Sequence, residues 1–133
     1  SAIQIEVVGF AHLPKRAATL ERIARLCRWI EATHAVAPRW PNGLPKPARE
    51  GRDPGGHNRD PQAWRVESGH YGHCHVPENI HWDPGYTAAE VDFIMRGPGG
   101  GALEALLAQR RGASSVEPTQ RQLRRARSTM PGH

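Results

Sequence analysis

The feature that most restricts the fold is a stretch, residues 37–69, in which proline and glycine recur too often for a helix or strand of ordinary length. The interrupting residues are Pro38, Pro41, Gly43, Pro45, Pro47, Gly51, Pro54, Gly55, Gly56 and Pro61. A loop of this length inside a compact domain is usually functional or disordered. Trp40 and Trp64 lie within it. Two roles are open for them: lining a groove for a substrate, or pinning the loop to the core.

The charge of the chain is concentrated at one end. The 133 residues fit one domain, and their formal net charge is +5. From Pro98 onward six arginines stand against Glu104 and Glu117, a surplus of four that leaves about +1 for residues 1–97. We therefore expect a flexible basic tail over 98–133, with room for one short helix at 102–111. The tail either is simply solvated or makes loose contacts with anionic polymers.

Two further segments have a clear periodicity. Residues 2–10 are rich in β-branched side chains and predict a strand, with Ile3, Ile5 and Val7 on one face and Glu6 on the other. The strand pattern by itself favours a solvent-facing Glu6. Residues 18–33 predict a helix with Thr19 as N-cap that packs on the sheet holding this strand. Its apolar stripe comprises Leu20, Ile23, Ala24, Cys27 and Ile30.

A capping box marks a second, shorter helix. Thr87 stands three residues before Glu90, and the apolar residues after them end near Gly97. With the strand and the first helix, this predicts an α/β fold: an incomplete mixed β-sheet flanked by helices, with the long Pro/Gly-rich loop and the basic tail. No stretch of the sequence is apolar enough over about 20 residues to span a membrane, and no signal peptide is visible.

Histidines cluster in the segment that follows the long loop. Five of the eight lie between positions 57 and 81, and imidazole and carboxylate groups are ordinary zinc ligands. The eligible donors are His73, Cys74, His75, His81 and Asp83. Cys74 could be a ligand or a small space-filling residue, whereas Cys27 is expected to be a buried thiol. A chance group of polar residues in a loop is the competing explanation.

The order of these residues resembles the zinc-dependent N-acetylmuramoyl-L-alanine amidases, which share the peptidoglycan-recognition-protein fold. That family carries a Gly-His motif, here Gly72-His73, then a short loop, and then an Asp-Pro-Gly motif, here Asp83-Pro84-Gly85. The ten-residue step from His73 to Asp83 agrees with the family spacing. The opening Ile3-Gln4-Ile5-Glu6 is similar to the family's Ile-Gly-Ile-Glu strand.

The resemblance implies a mechanism and a set of roles. His73 and Asp83 would be ligands of Zn²⁺, and His81 would stabilise the developing oxyanion. Glu6 would lie near the metal and assist proton transfer, which reverses its solvent-facing assignment. Trp40, Trp64 and Trp82 would contact the glycan or the stem peptide. The implied reaction is hydrolysis of the amide bond between N-acetylmuramic acid and L-alanine in peptidoglycan.

The first zinc ligand of the family, a histidine on an earlier strand, has no counterpart in this sequence. We therefore expect residues 1–97 to be the C-terminal portion of an amidase-like domain, acting as a monomer that is secreted or works at the cell wall, as lysins of bacteria or phages do. His12 or His75 could replace the missing ligand, although neither stands where the family places it. A module that binds muropeptides without cleaving them is the main alternative, and a small basic nucleic-acid-binding protein with a His/Cys zinc site is a further one.

Overall fold

Helices and irregular connections make up the structure. A computed structural model describes residues 2–97, 99 and 101–114. Over these residues the elements are α1 (Ala17–His34), α2 (Pro61–Val66), a single 3₁₀ turn (His73–His75), α3 (Ala88–Arg96) and α4 (Ala102–Ser114). The predicted tail beyond residue 114 lies outside the described residues. The helix expected over 102–111 corresponds in position to α4.

The predicted α/β fold with a mixed sheet is wrong. Over the described residues there is no sheet, and the sole bridge is an isolated pair between Arg49 and Arg52. Residues 2–9 form no backbone hydrogen bond with any described residue, and Ile3 and Ile5 remain 50% and 37% exposed. A β-branched segment becomes a strand only where a neighbouring strand satisfies its backbone groups. No such neighbour is present in the described part of the chain.

The first helix confirms the predicted stripe but begins earlier than expected. Its buried residues are Leu20, Ile23, Ala24, Cys27 and Ile30. Arg16, in an extended conformation, is the N-cap residue, so the assignment of Thr19 as N-cap is wrong. The helix ends where Ala35 takes a left-handed conformation. Because the described residues form no sheet, α1 packs against α3 instead.

The capping box at the start of α3 is confirmed, and it extends into a larger network. Thr87 Oγ1 accepts a hydrogen bond from Glu90 N, and Glu90 Oε1 accepts one from Thr87 N at 2.9 Å. The other carboxylate oxygen accepts bonds from the Lys15 backbone at 2.7 Å and from Gln109 Nε2 at 3.2 Å. Glu90 is fully buried. One carboxylate thus connects the segment before α1 with both α3 and α4.

The core lies between α1, α3 and α4. Its buried members are Leu20, Ile23, Cys27, Tyr86, Val91, Phe93, Ile94, Ala102 and Leu106. Arg28 links α1 to the end of α3 at the edge of this core. Its guanidinium pairs with both oxygens of Glu31 at 2.7 Å and donates to the carbonyls of Ile94 and Met95 at the end of α3. The long loop packs on this core through Trp40, and the histidine-rich segment buries Cys74 and His75.

Candidate metal centre

The histidine-rich segment, residues 72–85, is a closed loop that we call the histidine loop. Cys74 N donates to Asp83 O at 3.1 Å, which brings the two arms of the loop together at its base. The 3₁₀ turn begins directly after Gly72, where His75 N donates to the Gly72 carbonyl at 2.9 Å. His73 and Asp83 therefore lie side by side, although ten residues separate them in sequence.

Glycine is needed at the base of this loop for steric reasons. A Cβ atom at Gly72 would lie 2.6 Å from Pro84 Cδ, 3.0 Å from Cys74 Sγ and 3.2 Å from the Asp83 carbonyl oxygen. These neighbours are themselves held by the loop closure, so they cannot move aside without opening it. The Gly-His and Asp-Pro-Gly motifs thus contact each other directly.

The tip of the loop fixes the backbone of His81 from both sides. Asn79 N donates to Val76 O at 3.2 Å and forms the turn. Asn79 Oδ1 then accepts a hydrogen bond from His81 N at 2.8 Å. Arg59, from the long loop, donates through Nη2 to the His81 carbonyl at 2.9 Å. The main chain at His81 is therefore held, whereas its imidazole is 69% exposed.

Two imidazoles face the two oxygens of one carboxylate. His73 Nδ1 lies 2.9 Å from Asp83 Oδ2, and His81 Nδ1 lies 4.0 Å from Asp83 Oδ1. The centroids of the two imidazole rings are 6.2 Å apart. The side chains of His73 and Asp83 are 37% and 45% exposed, so the group opens to solvent.

The donor types suit zinc, but the present side-chain positions do not form a complete coordination shell. Imidazole nitrogen and carboxylate oxygen are both common zinc ligands. Within the described ranges, no three His, Cys, Asp or Glu side chains are placed so that they could hold a metal ion without rearrangement. His73 and Asp83 supply two donors in direct contact, and His81 stands slightly too far away to be the third.

Cys74 and His75 point into the protein instead of toward this group. Cys74 is fully buried, and burial raises the pKa of its thiol to about 11, so it is not a thiolate at neutral pH. His75 is 2% exposed, and its Nδ1 accepts a hydrogen bond from the Gly72 backbone at 3.1 Å. Burial lowers the pKa of His75 and keeps it neutral. The full burial of Cys74 favours its space-filling role over a role as ligand.

The remaining residues implied by the resemblance lie outside this group. Glu6 is exposed and has neither a hydrogen bond nor an ion pair with any residue of the described chain. Trp40 packs against the core and stands 6.1 Å from the His75 ring, centroid to centroid. The indole of Trp64 meets Tyr71 edge-on at 5.0 Å. Of the three tryptophans, Trp82 is the one that belongs to the histidine loop itself.

Two residues that support the loop were not identified from the sequence. An Asn two residues before a backbone N–H is a recognised turn signal, so the role of Asn79 was within reach of sequence reasoning. No such signal exists for Arg59, because its bond to His81 spans 22 residues.

The helices of the described chain are each too short or too polar to cross a membrane. Comparison with protein-family models, with curated proteins and with solved structures finds no match to this chain.

Proposed function

We propose that the histidine loop is the metal-binding part of a hydrolytic centre for the amide bond between N-acetylmuramic acid and L-alanine in peptidoglycan. The observation that supports this most directly is the contact of 2.9 Å between His73 Nδ1 and Asp83 Oδ2. These are the two residues to which the amidase resemblance assigns zinc. They come together at the surface through the Gly-His and Asp-Pro-Gly motifs that carry the resemblance.

The chemistry required is that of metal-assisted hydrolysis. Bound Zn²⁺ would supply an activated water near neutral pH and polarise the substrate carbonyl. His73 and Asp83 would hold the ion on the open side of the loop. His81 has an exposed imidazole beside them, so it can either donate to the oxyanion of the substrate or join the ligands.

The substrate would approach from the solvent side of the loop. His73, His81 and Asp83 all retain exposed surface there, and the half-buried Trp82 lies between the last two in sequence. An indole next to a metal centre offers an apolar face to a sugar ring or an alanine methyl group. Action on peptidoglycan would make this a secreted or cell-wall-acting protein, and we propose a monomer.

A muropeptide-binding module without hydrolysis is the second candidate. It is favoured by the position of Glu6, which is exposed and makes no polar contact at the histidine loop. Without a nearby carboxylate, proton transfer from the attacking water would lack its acceptor. The same loop would then bind the muropeptide and leave its amide bond intact.

The test combines metal analysis with cleavage of purified peptidoglycan, measured as stem peptides released with a free L-alanine amine. We expect about one zinc per chain and cleavage that depends on it. Asp83→Asn should abolish both, whereas Asp92→Asn should change neither, because Asp92 forms only a surface ion pair with Arg96. Unchanged cleavage by Asp83→Asn would show that the proposed centre is wrong. Zinc-dependent retention of muropeptide without cleavage would establish the binding module instead.

A further inference from the structure

We propose that Arg49 and Arg52, which a tight turn of the long Pro/Gly-rich loop holds side by side, form a binding site for a phosphate monoester group. We call the two side chains the arginine pair. This site is independent of the proposed function, because it uses neither a metal nor the histidine loop.

Two hydrogen bonds fix the backbone of the arginine pair. Arg49 N donates to Arg52 O, and Arg52 N donates to Arg49 O, each at 3.0 Å. Glu50 and Gly51 lie between them with φ of 52° and 76°, which is the conformation of a two-residue hairpin turn of type I′. Residues opposite each other in such a pair have Cα atoms about 5.5 Å apart and side chains on one face. Two guanidinium groups therefore extend from the same side of the turn.

This arrangement has an energetic cost that no carboxylate of the described chain offsets. Like charges opposite each other are destabilising, and Glu50 has the left-handed backbone that a residue other than glycine rarely adopts. Neither guanidinium forms a hydrogen bond or an ion pair with a residue that the structure describes. Asp53, which follows the turn, is occupied by Gly55 N at 2.8 Å and by His57 Nε2 at 2.6 Å. An anion bound between the two arginines would remove the repulsion, so the strained turn indicates a ligand.

The charge of the arginine pair fits a phosphate monoester better than a carboxylate. Each of the two guanidinium groups carries one positive charge and a planar fork of N–H donors that can bind two oxygens at once. A phosphate monoester carries about −1.5 to −2 charges at pH 7 and has three terminal oxygens. It can therefore neutralise both arginines and occupy both forks. A carboxylate, with one charge and two oxygens, would leave one guanidinium without a counter-charge.

A cleft beside the turn is suited to the organic part of such an ester. Pro47 and Ala48, the two residues before Arg49, line this cleft together with Leu13 and Pro14 from the segment before α1. These four side chains are apolar, so they favour contact with the carbon-bonded part of a ligand over contact with its phosphate. We therefore expect a phosphate ester with an apolar group to bind more tightly than inorganic phosphate.

The experiment is an NMR titration of the full ¹⁵N-labelled chain, in which the arginine Nε–H signals report binding. Three probes are compared at constant ionic strength, because salt screens exposed charges. Phenyl phosphate and benzoate share the same ring and differ in the anion, whereas inorganic phosphate lacks the ring. We expect phenyl phosphate to bind most tightly and benzoate most weakly. The Nε–H signals of Arg49 and Arg52 should shift, and that of Arg22 should not.

Variants separate the paired geometry from charge alone. Arg49→Gln and Arg52→Gln should each weaken phenyl phosphate binding on the order of 10-fold, because one charge-assisted fork is lost. Arg22→Gln is the matched control, since Arg22 is an exposed arginine on α1. Gly51→Val keeps both arginines but places a β-branched residue at a φ of 76°, so it should open the turn and cause a similar loss. A Cβ at Gly51 meets no atom within 4 Å, so the rest of the fold should be unaffected.

The outcomes decide the proposal whatever the zinc content of the protein. Phenyl phosphate that binds no more tightly than benzoate would overturn the selection of phosphate. Wild-type affinity in Gly51→Val, or an equal loss in Arg22→Gln and Arg49→Gln, would overturn the arginine pair as the site. Tighter binding of phenyl phosphate than of inorganic phosphate would support the site and identify an ester as its ligand. The reverse order would support the site with free phosphate as the ligand and refute the role of the cleft.

Discussion

Replacement of Glu90 should show how much stability depends on one buried carboxylate. Its oxygens accept bonds from the backbone N–H groups of Lys15 and Thr87 and from the amide of Gln109. In Glu90→Gln an amide nitrogen takes the place of one oxygen, so at least one buried backbone donor loses its acceptor. That loss costs about 2 kcal/mol. Glu90→Ala removes all three acceptor contacts and leaves a cavity, for which we expect about 4–5 kcal/mol.

The measurement is urea unfolding followed by circular dichroism, with the free energy of unfolding taken from linear extrapolation. Glu21→Gln is the control, because Glu21 is half exposed and pairs only with Arg25 on the surface of α1. Its replacement should cost about 0.5 kcal/mol or less. A Glu90→Gln protein as stable as Glu21→Gln would refute the view that this carboxylate joins α3 to α4 and to the start of α1.

Two further changes test the histidine loop and the contact between α1 and its neighbours. Gly72→Ala should destabilise the protein by about 1–3 kcal/mol and weaken Zn²⁺ binding, because the new Cβ meets Pro84 Cδ at 2.6 Å. Gly99→Ala is the control, because Gly99 lies outside the helices and a Cβ there has no atom within 4 Å. Equal melting temperatures of the two variants would contradict the packing explanation. Burial opposes ionisation of Glu31, but hydrogen bonds from Arg28 and His70 outweigh it and hold the pKa of Glu31 below its ordinary 4.5. The unfolded state therefore binds more protons, so this contribution is present above pH 4.5 and is lost as the pH falls through the lower folded pKa. The difference in unfolding free energy between wild type and Glu31→Gln should be larger at pH 7 than at pH 3, and a constant difference would show that the ion pair is not its source.

The features that sequence correctly predicted are those set by short-range physics. The stripe from Leu20 to Ile30 has helical spacing, and an amphipathic helix buries that face whatever it packs against. The capping box of Thr87 and Glu90 is also local, since its two bonds span three residues. The N-cap of α1 was missed, because Thr19 has the better capping side chain but Arg16 is where the chain leaves its extended conformation.

The predicted sheet failed because strand formation is not a local property. Ile3, Ile5 and Val7 have the composition of a strand, but their backbone groups need partners from elsewhere in the chain. The described residues offer none. Glu6 is exposed. This agrees with the strand pattern, which favoured a solvent-facing side chain, and not with the amidase resemblance, which implied a position near the metal.

Sequence predicted which three polar side chains lie together in the histidine loop, but neither their orientation nor the separation of Glu6 from them. Spacing and motif order identified His73, His81 and Asp83, which the structure brings together. Apart from the Gly-His motif, nothing in the sequence distinguishes His73 from His75, two residues later in the same 3₁₀ turn. The inward direction of His75 depends on its bond to Gly72 and on the burial of the turn, both of which follow from tertiary packing.

The contact of Arg59 with the His81 carbonyl has a consequence for anyone who wishes to transplant this loop. Residues 72–85 contain His73, His81, Asp83 and the bond that closes their base, so at first sight they form a self-sufficient segment. The His81 carbonyl at the tip, however, accepts a hydrogen bond from the guanidinium of Arg59, which lies outside this segment. A graft of residues 72–85 into another protein would carry the three side chains without that support. The recipient protein would have to provide its own donor opposite the His81 carbonyl to hold the tip of the loop in the same position.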